Sequence, residues 1–230
     1  MRTPEPPAPA EAPRGCPLCP RLVAYRLDNR AAHPDWFNDP VPSFGDPQAR
    51  LLVAGLAPGR MGANRTGRPF TGDHAGILLY ATLLKTGFAR GAYGARPDDG
   101  LELVDCMISN AVRCAPPGNR PEASEEANCR PYLAARLADL PRLQVIVTLG
   151  DVARRNVLKA LGLKGSAAPG GHGAAADAGP YRLINSYHCS RLNTNTGRLT
   201  EAMFEDVFRA ARAYLDGRGP GPQAVNLTAP

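Results

Sequence analysis

Four cysteines carry the most specific chemistry in this 230-residue chain: Cys16 and Cys19 as a C-x2-C pair, then Cys114 and Cys129 far downstream. Two thiolates at that spacing can face one centre across a single tight turn. Four together suit either a tetrahedral zinc or a [4Fe–4S] cluster, and the softness of the ligands does not separate the two. Four free thiols at coincidental spacing are the plainer alternative. Cys106, inside an apolar run, and Cys189, beside His188, read as packed thiols. Neighbours on a strand point to opposite faces, which disfavours a Cys189–His188 nucleophile.

Three other segments are polar and rich in Gly or Asn: 55–73, 110–120 and 188–198. The first opens with Gly55-Leu56-Ala57-Pro58-Gly59-Arg60-Met61-Gly62, which is neither a dinucleotide fingerprint nor a Walker A loop. Its glycines offer exposed amides and close approach to a ligand, or simply a structural turn. Asn110 can read a ligand's edge with its amide or cap a turn. His188 places an imidazole at the end of a strand, for chemistry or for a structural hydrogen bond.

Apolar runs alternate with helical patterns around these segments. Strands are expected at 51–54, 103–109, 145–149 and 181–186. Helices are expected at 75–86, stopped by Gly87, and at 124–140, with Pro131 a kink or boundary. A third follows Asp151 as its cap and ends at Gly162; the last, about 199–215, carries Met203, Val207, Ala210 and Tyr214 as a core-facing stripe. This order predicts an α/β fold, a three-layer α/β/α sandwich around a mostly parallel four-stranded sheet. Ligands of such sheets bind beyond the carboxyl ends of the strands, where all three polar segments fall, so one site built from all three is expected. The expected domain is 15–216, between a Pro/Ala-rich tail at 1–14 and a Gly/Pro-rich tail at 217–230.

A net charge of +6 is compatible with a polyanionic partner. Arginine outnumbers lysine 24 to 3 beside heavy Ala, Gly and Pro use, a bias that a GC-rich genome would also produce. No run approaches the ~18 apolar residues of a membrane span. The first fifteen residues lack an apolar signal core, so a cytoplasmic location is expected. A reducing compartment favours metal binding over disulfides.

Together these residues resemble the uracil-DNA glycosylase superfamily, and most closely its iron–sulfur family 5, the type-b enzymes. Gly55-Leu56-Ala57-Pro58-Gly59 is similar to the first motif. Gly67-Arg68-Pro69-Phe70 is similar to the segment whose Phe stacks on an extruded base. Ser109-Asn110-Ala111-Val112-Arg113-Cys114 resembles the base-reading Asn before the third cluster cysteine, and 145–150 (VIVTLG) a family strand. His188-Cys189-Ser190-Arg191-Leu192-Asn193-Thr194-Asn195-Thr196-Gly197 resembles the second catalytic motif in its type-b form. The resemblance covers roughly 15–216. It implies a structural [4Fe–4S] cluster on Cys16, Cys19, Cys114 and Cys129. It also implies a base pocket of Gly55, Ala57, Gly59, Phe70 and Asn110. DNA contacts would come from Arg60, Arg191, Leu192, Asn193 and Asn195, with Arg191 or Leu192 filling the vacated stack.

One departure bears on mechanism. Other branches carry an acid or amide directly after the first glycine of motif one, where it positions the attacking water; here that residue is Leu56. Either an oxocarbenium-like sugar is stabilised by the DNA's own phosphates, with His188 and backbone amides bearing charge on the departing base, or another acid substitutes. Asp73 is the candidate, with N-capping as its simpler role. The resemblance implies a monomeric, monofunctional glycosylase initiating base excision repair on double-stranded DNA containing deaminated bases: uracil, and also hypoxanthine or xanthine. The rival is a non-catalytic four-cysteine nucleic-acid-binding or redox module, which Leu56 alone favours.

Overall fold

The computed structural model describes residues 9–218. Four mainly apolar stretches form the inner strands: β2 (Leu51–Gly55), β5 (Cys106–Asn110) and β6 (Val145–Leu149), each fully buried, and β8 (Tyr181–Ser186), buried from Leu183 onward. Runs buried on both faces are what a covered parallel sheet requires. β5, β2, β6 and β8 pair in parallel in that order. Short antiparallel edges, β1 (Phe44–Gly45) on β5 and β7 (Ala175–Ala178) on β8, make the sheet six-stranded rather than four. β3 (Ala89–Arg90) and β4 (Glu102–Leu103) form a separate two-stranded ribbon. The run expected as one strand at 103–109 therefore breaks in two, and Asp105 marks the break with a left-handed backbone (φ 54°).

Alternate strand residues feed two cores. Leu51, Val53, Ile108 and Val147 pack under α3 (His74–Lys85) and α7 (Glu201–Leu215). Leu52, Ala54, Ile146 and Leu183 pack under α4 (Ala123–Ala138) and α5 (Asp151–Ala160). This is the expected α/β/α sandwich. α4 starts with a capping box between Glu122 and Glu125 and runs through Pro131 without ending. Asp151 is not the cap of α5; Gly150 holds that position, and the Asp151 carboxylate binds Arg154 and Arg155 instead.

α1 (Pro20–Ala32) has no counterpart among the expected elements, because its buried residues, Leu22, Arg26 and Asn29, include two polar ones. With Val112, Cys114, Cys129 and Tyr132 it builds a third, smaller core. Two short helices, α2 (Ala63–Thr66) and α6 (Arg191–Asn195), sit in the loops beyond the sheet. Of the expected N-terminal tail, residues 9–14 are described and partly docked: Arg136 Nη2 and the Ser43 amide donate to Glu11 (2.7 and 3.0 Å), and Arg113 Nη2 to Ala10 O (3.1 Å). The rest of that tail, and 219–230, lie outside the described residues. No described helix is long and apolar enough to cross a membrane.

Candidate active site

Beyond the carboxyl ends of β2, β5 and β8 lies a cleft of about 470 Å³. Strand register pairs Gly55 with Asn110, which sets the end of motif one beside the amide side chain. A Cβ on Gly55 would collide with Asn110 Oδ1 and stand 2.7 Å from Phe70 Cζ, so glycine keeps a slot open between them. Phe70 is buried, and its ring centroid lies 6.2 Å from that of His188. Asn110 Oδ1 is buried and accepts no hydrogen bond from any of the described residues. An unpaired buried acceptor costs about 1–3 kcal/mol, and such a cost persists where a ligand donor is to be met.

The two oxygens of the Asp73 carboxylate face different ways. Oδ1 caps α3, accepting from the Gly76 amide at 2.9 Å. Oδ2 turns toward the motif-one loop, where a Cβ on Gly62 would collide with it and one on Gly59 would stand 3.3 Å away. Asp73 and His188 both line the cleft. Burial pulls the His188 imidazole below its ordinary value, partly offset by the nearby Asp73 carboxylate, so the ring is neutral near pH 7. Leu56 also lines the cleft and offers nothing that could orient water.

The rim residues separate. Arg191 lines the cleft from α6, and Leu192 is 72% exposed beside it. Asn193 Nδ2 donates to the His188 backbone carbonyl at 2.8 Å, tying α6 to that residue's backbone. Asn195 faces a different groove, between α3 and α7. Arg60 lines the cleft, with its guanidinium engaged by α1: Nε donates to Asn29 Oδ1 (2.6 Å) and Nη2 to His33 Nε2 (3.2 Å), and the group lies over Trp36. Asn119, left-handed (φ 57°) in the turn Pro117–Asn119, also lines the cleft. The Gly118-Asn119 dipeptide signals a turn, but nothing in the sequence aims it at the site.

The four cysteines line one apolar pocket against α1 and α4. Ala57 packs on this group and also lines the cleft, so the two sites share a wall. N–H groups point at three of the sulfurs: Arg113 N to Cys129 Sγ (3.2 Å), Arg26 Nη1 to Cys114 Sγ (3.6 Å) and Asn128 Nδ2 to Cys19 Sγ (3.7 Å). Burial pushes the Cys114 thiol up to about 12 and Cys129 to about 11. Bound metal reverses that preference by deprotonating its thiol ligands. Among the described residues no three Cys, His, Asp or Glu side chains form a ready-made metal site. The set fits a metal centre by its donor chemistry: four soft ligands, N–H donors aimed at sulfur, and buried cations at Arg26 and Arg113. Cys106 and Cys189 are fully buried and stand apart from this pocket.

A family model described as the uracil DNA glycosylase superfamily matches residues 42–212. The chain is 46% identical over 204 residues to a type-5 uracil-DNA glycosylase of Thermus thermophilus, spanning 86% of this chain and 92% of the relative. Identity to a type-5 uracil-DNA glycosylase of Pyrobaculum aerophilum is 43% over 202 residues, spanning 86% and 88%. A type-4 uracil-DNA glycosylase of Sulfurisphaera tokodaii is 36% identical over 123 residues, spanning 53% of this chain and 49% of the relative.

Proposed function

This chain belongs to the uracil DNA glycosylase superfamily, and we propose that it hydrolyses the N-glycosidic bond of uracil in DNA, leaving an abasic site. The observation that carries this reading is Asn110 Oδ1, a buried acceptor without a partner beside Phe70 and Gly55. Uracil presents an N–H donor next to a carbonyl acceptor on its Watson–Crick edge, the complement of an amide. Hypoxanthine and xanthine present the same pair, which supports them as further substrates; cytosine and adenine present the reverse.

The base leaves the duplex at a cost of a few kcal/mol, least for a weakened pair. Phe70 then stacks on it while Leu192 or Arg191 fills the gap. As the glycosidic bond lengthens, charge grows on the base and on the sugar. Neutral His188 donates a hydrogen bond to the base, and Asp73 Oδ2, the one carboxylate oxygen not used as a cap, orients water or steadies the sugar cation. The test is release of free base from a duplex with a single uracil under single-turnover conditions. DNA binding without release would leave the non-catalytic reading standing.

Gly55→Ala should close the slot. A misplacement of about 1 Å at a reacting centre costs ~10² in rate; uracil release should fall at least that far while the protein still binds undamaged duplex. Unchanged release would remove the slot from the base pocket.

Cys16, Cys19, Cys114 and Cys129 would hold a [4Fe–4S] cluster, whose contribution is structural: it joins α1 to the segment that follows Asn110. The purified protein should be brown with about four irons per chain. Cys114→Ser should bleach it and lower its melting temperature. Stoichiometric zinc in colourless protein prepared without oxygen would overturn the assignment.

A further inference from the structure

Phe70 sits in the left-handed backbone region (φ 53°), where aromatic residues are rarely found. The Tyr93 hydroxyl holds it there from a distant segment, accepting from the Gly72 amide (3.2 Å) and donating to the Phe70 carbonyl (3.3 Å). One hydroxyl thus clips both ends of the turn. Tyr80 donates to the Pro69 carbonyl at 2.6 Å, and the Tyr80 and Tyr93 rings stack with centroids 4.6 Å apart.

Beneath the turn, Arg68 donates to Thr71 Oγ1 (2.7 Å) and makes two bonds to Asp99 (2.8 and 2.7 Å), with both side chains almost wholly buried. A bidentate pair fixes the plane and direction of both groups. Asp99 also accepts from the Gly94 and Leu101 amides, so the same pair anchors the 91–101 loop that carries Tyr93. By sequence that loop, GAYGARPDDGL, looks like a surface turn. In the fold it is the mount of the stacking ring.

We infer that Tyr93, set in place by the buried Arg68–Asp99 pair, is a positioning residue for Phe70, and that the 91–101 loop governs how well an extruded base is held. The inference rests on the glycosylase reading above. It requires Phe70 to act as a fixed face rather than as an adaptable one.

Tyr93→Phe tests it, because the ring and its stack with Tyr80 survive and only the hydroxyl is lost. Extrusion is read by the fluorescence of 2-aminopurine placed beside uracil in a duplex, alongside single-turnover release. Base–aromatic stacking is strong enough that a loosened ring should lower the extruded fraction about tenfold. Release should fall in parallel, with duplex affinity and melting temperature near wild type. A lower melting temperature with unchanged fluorescence and release per folded molecule would make Tyr93 merely structural and overturn the inference. If wild-type protein releases no uracil, the glycosylase reading fails. If wild type releases uracil and Tyr93→Phe matches it, this inference alone fails.

Discussion

Asp73→Asn is expected to slow single-turnover uracil release by about 10²–10³-fold, the cost of losing a preorganised charge at the reacting centre. Its melting temperature should barely move, because asparagine accepts the Gly76 amide about as well as aspartate does. The substitution separates the two oxygens of one side chain: the cap is kept and the charge facing the motif-one loop is lost. A second signature follows from electrostatics. The Asp73 carboxylate raises the proton affinity of His188, so its removal should move the acid limb of the pH–rate profile to lower pH. Near-wild-type release would confine Asp73 to capping and leave the chemistry to His188, backbone amides and the substrate's phosphates.

Asn110→Ala should lose a comparable factor in release and, unusually for a buried site, little or no stability. The wild-type side chain carries a buried acceptor without a partner, at about 1–3 kcal/mol. Alanine removes that cost and leaves a space continuous with an open cleft rather than a sealed cavity. Thermal or urea melting beside a single-turnover assay reads both effects. A marked loss of stability with normal release would make Asn110 a scaffold residue.

The inner sheet was legible because each strand centres on an apolar stretch bounded by turn residues, most plainly VIVTL before Gly150. β1, two residues long, and β7, whose sequence is AADA, carry no such signal; they form because a neighbouring strand leaves an unpaired edge. α1 was hidden for the opposite reason, since its buried face spends Arg26 on Cys114, 88 positions away along the chain, and Asn29 on Arg60, 31 positions away. Within the site, residues at strand ends could be anticipated, because strand alternation and register alone bring Gly55 to Asn110. Asp73 was visible as two competing roles; only the close approach of Gly62 reveals that they are compatible. Asn193 and Asn195 look alike in sequence, but two residues, about half a turn of helix, send the first to His188 and the second to another groove. Tyr93 and Asp99 were out of reach altogether, since their roles exist only through contact with the Phe70 turn.

The gathering of Cys16 and Cys19 with Cys114 and Cys129 also sets a schedule for biosynthesis. Roughly a hundred residues separate the two halves of the set. At about 5–20 residues per second on the ribosome, the first pair waits on the order of 5–20 s before its partners are made. Through that interval α1 has neither Val112 nor Tyr132 to pack against, and its two thiols stand open to oxidants and to any passing metal ion. The N-terminal segment is therefore synthesised first and seated late, and the nascent chain is most vulnerable before its middle has emerged.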